Sequence, residues 1–193
     1  MEDQPTGSTP PAPGSTPPAP GSPPPAPGSA APGAGLPPLA SGPLDRSTAI
    51  DLLGRADALF ENGEYPNAGA IYQRVVGFDD PAITGAALYG LGNVLYRVDR
   101  EDAAMATWER VLELPENPTT YLAWRQIAAT KVREGDLNRA LRAYREADRL
   151  APAGDKAEIA ARLGWLSKET GDSRGAARHF RRSRGTTDRK SVV

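Results

Sequence analysis

The chain has 193 residues and a net charge of −1, so global charge points to neither nucleic acid nor a strongly charged partner. It has no cysteine, which excludes disulfides, a thiolate nucleophile and cysteine metal sites. No apolar run approaches the ~18 residues that span a bilayer, and the N-terminus lacks the basic and apolar regions of a signal peptide. The chain therefore reads as soluble and cytoplasmic.

Residues 1–46 form the first region. Fifteen of the 20 prolines lie in the first 43 residues, with only Glu2 and Asp3 charged and no aromatic. Such a segment cannot bury enough apolar surface to offset its ordering entropy, so a disordered tail is predicted. Residues 9–15 read TPPAPGS, 16–22 repeat it, and 23–29 read PPPAPGS. Proline favours polyproline-II segments, and the Gly-Ser pairs joint them, which describes a spacer. Pro10-Pro11-Ala12-Pro13 has the spacing of a polyproline ligand, but no Arg or Lys flanks it to fix an orientation.

Residues 47–184 carry an internal repeat. Ala68, Ala104, Ala140 and Ala176 are 36 apart, as are Tyr72, Trp108, Tyr144 and Phe180, and Ala56, Gly92, Ala128 and Gly164. Gly63, Gly135 and Gly171 share a phase, with Asp99 in the fourth place. Further rows are Val75, Val111, Ala147, Ser183 and Phe78, Leu114, Leu150. The rows fit one unit. A small residue lets two helices approach, and a second small residue sits on the partner helix at the crossing. An aromatic follows one turn on, and glycine supplies a left-handed cap at the turn. Pro81, Pro118 and Pro152 mark the loops between units.

Start signals at Ser47-Thr48, Asn67, Asp80-Pro81, Thr119-Thr120, Asp155 and Asp172-Ser173 complete the reading. Helices are predicted near 47–62, 67–78, 83–98, 101–114, 119–134, 137–150, 155–170 and 173–184.

This pattern resembles the tetratricopeptide repeat (TPR). Residues 85–118 carry Leu88, Leu91-Gly92, Leu95, Ala104, Trp108, Val111 and Leu114. Residues 121–154 carry Trp124, Ala128, Gly135-Asp136, Ala140, Tyr144, Ala147, Leu150 and Pro152. Residues 49–82 and 157–187 match more loosely. The period of 36 departs from the family's usual 34, which places two extra residues in the loops between repeats. The resemblance implies an all-α, right-handed α-solenoid of four repeats whose first helices line a concave groove. It gives Leu53, Asp57 and Phe60 in the first repeat, and Tyr89, Asn93, Tyr96 and Arg97 in the second. The third supplies Arg125, Ala129, Val132 and Arg133, and the fourth Trp165, Lys168 and Glu169. Aromatics and cations together suit a peptide with apolar and acidic groups. The carboxylate clamp of chaperone-binding TPR proteins is not expected. Leu53, Asp57, Leu122 and Gln126 stand where it needs Lys, Asn, Lys and Arg, and only Asn93 fits.

Enzyme readings find little. His179 is the only histidine, so no histidine-based triad or cluster can be built. Asp79-Asp80 and Glu101-Asp102 read as helix-start carboxylates, and Gly90-x-Gly92 as packing within a helix. No cofactor, metal or nucleic acid is expected, and the chain reads as a scaffold binding a protein or peptide.

The last region, 185–193, reads as an unstructured end. Arg174, Arg178, Arg181, Arg182 and Arg184 fall between Asp172 and Asp188 with no acid among them. The codons GAT CGG AAG AGC GTC GTG TAG, a common sequencing adapter read in frame, encode residues 188–193 and a stop. Those six residues are therefore expected to be artefactual and the natural protein to continue. The stretch from Leu163-Gly164-Trp165-Leu166 through Arg184-Gly185 resembles the junction of a cytosolic TPR segment with a bacterial rhomboid-type intramembrane protease. The alternative reading is thus the cytosolic adaptor of a longer membrane protein, with a membrane domain downstream. None of that protease's catalytic Ser or His motifs is present.

Overall fold

The computed structural model describes residues 44–187, with side chains to Arg184; the proline-rich tail and the final six residues read above lie outside the described residues. The described chain forms eight helices: α1 (Arg46–Glu61), α2 (Tyr65–Val75), α3 (Pro81–Arg97), α4 (Glu101–Glu113), α5 (Thr120–Arg133), α6 (Leu137–Leu150), α7 (Lys156–Glu169) and α8 (Ser173–Thr187). No strand occurs among the described residues.

Aspartates start half of these helices. Asp45 Oδ1 accepts from Thr48 N–H at 2.8 Å, Asp80 Oδ1 from Ala82 and Ile83, Asp136 Oδ1 from Arg139 and Asp172 Oδ1 from Gly175. Each satisfies a first-turn donor and sets a negative charge at the positive end of the helix dipole. The Ile83 and Ala82 N–H groups hold the Asp80 carboxyl below its ordinary value, and Arg46, ion-paired to it, adds to the effect.

Four boundaries differ by two residues or more from those predicted: α2 runs from Tyr65 to Val75 and not 67–78, α3 starts at Pro81 and not 83, and α8 ends at Thr187 and not 184. α2 starts at Tyr65, not Asn67, because Pro66 fits the first turn, where its missing N–H leaves no bond unmade. Asn67 instead donates to Glu64 Oε2 at 3.0 Å. Pro81 is the first residue of α3 for the same reason, whereas Pro118 and Pro152 lie in the loops after α4 and α6. The α8 backbone stays helical to Thr187, across 185–187 that the sequence reading assigned to the unstructured end; no proline interrupts it there.

Within each helix pair the turn uses one left-handed residue: φ is 79° at Gly63, 59° at Asp99, 80° at Gly135 and 84° at Gly171. Asp99 is the only non-glycine of the row, and aspartate tolerates this conformation better than most side chains.

Packing follows the 36-residue rows. Ala56, Ala68, Ala104, Ala128 and Ala140 are wholly buried, as is nearly all of Tyr72, Trp108 and Tyr144. A Cβ added at Gly92 would lie 2.3 Å from Trp108 Nε1, and one at Gly164 would lie 2.8 Å from the Phe180 ring. Glycine at 92 and 164 thus leaves room for the Trp108 and Phe180 rings, while Ala56 and Ala128 hold the same place in repeats 1 and 3. Taking the Trp108 indole out of water contributes on the order of 5 kcal/mol. One apolar cluster runs from Leu88 through Trp108, Ile127 and Tyr144 to Leu166.

Each helix packs on the next in sequence, and α1 and α3 also pack on α3 and α5 respectively. The backbones of the corresponding pair, α5 and α7, stand farther apart, and the two meet only through side chains, Tyr121 with Asp155 and Arg125 with Glu158. In the row Gly54, Gly90, Gln126, Arg162, Gly90 lies against the Tyr72 ring, whereas Gln126 reaches back to α3. This is a nearest-neighbour solenoid, in which no repeat buries its apolar face alone.

Candidate functional site

The first helices of the repeats, α1, α3, α5 and α7, present one continuous face. Two cavities lie on it. The first, about 340 Å³, is lined by Asp57, Phe60 and Glu61 of α1, Tyr72 of α2 and Tyr89 and Asn93 of α3, among others. The second, about 240 Å³, sits in the gap between α5 and α7. Its walls are Arg125, Gln126, Ala129 and Val132 on one side and Glu158, Arg162 and Trp165 on the other, with Tyr144 of α6 and Leu166 completing it.

Gln126 lies between the two. Its Nε2 donates to Tyr89 Oη at 3.2 Å and to Asn93 Oδ1 at 3.3 Å, tying α5 to α3. Tyr72 Oη donates to Asp57 Oδ1 at 2.5 Å, and burial first, then this bond, drives the phenol's pKa well above its ordinary value. Tyr121 Oη donates to Asp155 Oδ2 at 2.6 Å, and burial, then the same kind of bond, pushes its pKa up to about 12. Both phenols are fixed donors, so each holds a carboxylate in place between helices. Arg125 faces Glu158 across the gap at 3.9 Å.

Of the residues read as groove-facing, Asp57, Phe60, Tyr89 and Asn93 come together in the first cavity, and Arg125, Ala129, Val132 and Trp165 in the second. Trp165 is 43% exposed, unusually open for an indole in this fold. Tyr96, Arg97 and Arg133 are placed otherwise. Arg97 Nε donates to Tyr65 Oη at 3.0 Å with its guanidinium 5.5 Å from that ring. Arg133 bonds Glu101 at 2.8 Å and lies 4.9 Å from the Tyr96 ring, which leans on Trp108 at 5.9 Å. These two arginines occupy equivalent positions and brace the end of a first helix against the start of the second helix beside it. Leu53 is half-buried, Lys168 and Glu169 are exposed, and none of the three lines either cavity.

Glu61, Gln126, Glu158 and Arg162 were not singled out as groove residues. The signal was present. Gln126 and Arg162 stand 36 apart, each one residue beyond the row that holds Leu53, Tyr89 and Arg125. They share a face with that row.

Charge is divided along the described chain. Residues 44–118 hold 13 acidic and six basic side chains, residues 119–187 eight acidic and 15 basic. The cavities follow suit: the first has Asp57 and Glu61 and no cation, the second Arg125 and Arg162 against Glu158. Among the described residues no group of three or more His, Asp or Glu is placed to hold a metal ion, and no helix is long and apolar enough to cross a membrane.

Solved structures resemble this arrangement. The crystal structure of MamA superposes with a TM-score of 0.61 at 18% identity, covering 77% of this chain and 84% of that one. MamA from Desulfovibrio magneticus RS-1 gives 0.56 at 20% identity, with 77% and 80% covered. YrrB, described as a TPR protein with an unusual peptide-binding site, gives 0.52 at 20% identity, with 74% and 70% covered. The fold is a TPR-like α-solenoid. No protein-family model matches the chain, and a search of curated proteins finds no match.

Proposed function

We propose that this TPR-like solenoid is a protein-interaction scaffold that holds an extended peptide along the face of its first helices. The observation that carries the reading is the pair of cavities on one face, acidic at one end and cationic at the other, with Gln126 between them. A ligand with basic groups toward Asp57 and Glu61 and acidic groups toward Arg125 and Arg162 matches it, and the exposed Trp165 offers an apolar seat. Peptide binding by YrrB, a protein of similar fold, supports this class of role. Groove-facing Leu53, Tyr96, Arg97, Arg133 and Lys168 then act at its margins, the two arginines by bracing its wall.

The test is recovery of partners on the immobilised chain, comparing wild type with Tyr89→Ala/Arg125→Glu. Partners that bind the groove drop out of the variant eluate. Identical recovery, with the variant folded by circular dichroism, would mean that the groove is idle.

The adaptor reading keeps one observation in its favour, the five arginines of α8 without an intervening acid. Genomic sequence downstream of Thr187 decides it: an apolar run of about 20 residues supports a membrane domain, and its absence removes the idea.

A further inference from the structure

A second cavity system lies away from the groove, on the face of the second helices. Between α4, α5 and α6 a cleft of about 570 Å³ is built on Trp124 and Ile127, with Lys131, Arg139, Arg142 and Arg145 around it. Glu109 and Glu146 stand on its walls. Its counterpart one repeat earlier, about 300 Å³ between α2 and α3, has no charged residue in its lining. The two are built on the same register: Ile127 and Lys131 follow Leu91 and Leu95 by 36 residues. The third-repeat cleft shares that floor and adds Arg139, Arg142 and Arg145 from α6, a helix without a counterpart in the earlier lining, beside the indole of Trp124.

The indole is itself a departure. Trp124 stands 36 residues after Leu88, which is 2% exposed and belongs to the core, whereas Trp124 is only partly buried. An indole there covers the same core and still offers a free edge. The cations are unequal. Lys131 is taken up by Glu134 at 2.7 Å and Arg139 by Asp136 at 3.3 Å. Arg142 and Arg145 are exposed and make no ion pair or hydrogen bond among the described residues. Two uncommitted guanidinium groups beside an apolar floor form a surface that an anionic partner can neutralise.

We infer that this outer cleft is a docking site, separate from the groove, for an acidic segment of a partner protein that carries one large apolar side chain. The apolar side chain sits on Trp124 and Ile127, and carboxylates of the segment pair with Arg142 and Arg145. The cleft volume is within the range that holds one large anchor and its flanking groups. Glu109 and Glu146 argue against a nucleic acid, since a continuous phosphate backbone crossing the cleft would meet both carboxylates. A peptide can place its acids on the arginine side alone. A single indole is also a poor platform for successive bases.

The test is selection of binders from a random dodecapeptide phage library on the full chain. Selected peptides are then synthesised and titrated by fluorescence anisotropy. Peptides rich in Asp and Glu with a single Leu, Phe or Trp should be enriched. Their affinity should fall at least tenfold in Arg142→Glu/Arg145→Glu, an exchange confined to exposed side chains. It should also fall in Trp124→Leu, which restores the side chain of the preceding repeat and so preserves the core. It should stay unchanged in the groove variant Tyr89→Ala/Arg125→Glu, so failure here and failure of the groove reading are separable. The inference is overturned if no acidic family is enriched, or if the acidic peptides bind Arg142→Glu/Arg145→Glu as they bind wild type. It is also overturned if a fluorescein-labelled dT20 binds the cleft more tightly than those peptides and loses binding in the same variant.

Discussion

The first two repeats and the last two are built on one register and differ in what they do with it. In repeats 1 and 2 the facing first helices pack directly, and acids outnumber bases by 13 to six. In repeats 3 and 4 the facing helices meet only through Tyr121–Asp155 and Arg125–Glu158, and bases outnumber acids by 15 to eight. The lesson is that a repeat can keep its packing rows constant while the residues between the rows change charge and spacing. The rows carry the fold, and the intervening residues carry the two candidate surfaces.

The sharpest way to break this comparison is at the crossings. Gly92→Ala should cost about 3 kcal/mol, because the new methyl meets an indole that is 1% exposed and has nowhere to move. Gly164→Ala should cost about 1 kcal/mol, because the half-buried Phe180 can shift outward. Urea unfolding of both variants measures the difference. Equal costs would mean that the rear pair is packed as rigidly as the front.

A smaller effect is expected at the turns. Asp99→Gly should stabilise by about 1 kcal/mol, since a left-handed backbone strains any side chain that bears a Cβ. Gly135→Ala, the equivalent position of the rear pair, should destabilise by about the same amount. Thermal unfolding should show the two shifts with opposite signs, each of about 3 °C.

The smallest effect is on pH. Burial, then Arg182 and Arg178, lowers the pKa of His179 below its ordinary value of 6.5; Arg145 acts in the same sense and Asp148 opposes it. The folded state therefore prefers the neutral imidazole. Its stabilisation is complete above pH 6.5 and is lost as pH falls through the lower, folded value, where the unfolded chain has already taken up its proton. Stability measured from pH 7.5 down to 5 should decline more in wild type than in His179→Gln. Parallel profiles would show that the cations around His179 are too well screened to matter.

Much of this was legible beforehand, for identifiable reasons. The eight helices follow from periodic rows, and the Gly92–Trp108 and Gly164–Phe180 crossings follow from a small-residue row and an aromatic row that share the 36-residue period. The left-handed turn at Asp99 follows from its place in a row of glycines. The start of α2 was not legible from Asn67, since a side chain able to cap can equally bond its neighbour, here Glu64. The bracing by Arg97 and Arg133 was hidden because their partners, Tyr65 and Glu101, lie 32 residues away on the preceding second helix or its successor in register. The division of charge was hidden by its own symmetry, since the two halves cancel to a net charge near zero. Counting by repeat, not by chain, exposes it.

The gap between α5 and α7 has a dynamic consequence. Cooperativity in a linear array passes from repeat to repeat through each interface, and the last interface rests on α6 against α7, its first helices joined only by the Tyr121–Asp155 and Arg125–Glu158 side chains. Amide exchange should therefore reach α7 and α8 by partial opening before it reaches α3. A molecule seated between Arg125 and Trp165 would reinforce this sparse contact. Occupancy would then be read at a distance, as slower exchange throughout the fourth repeat, with the ligand tying its first helix to the rest of the stack.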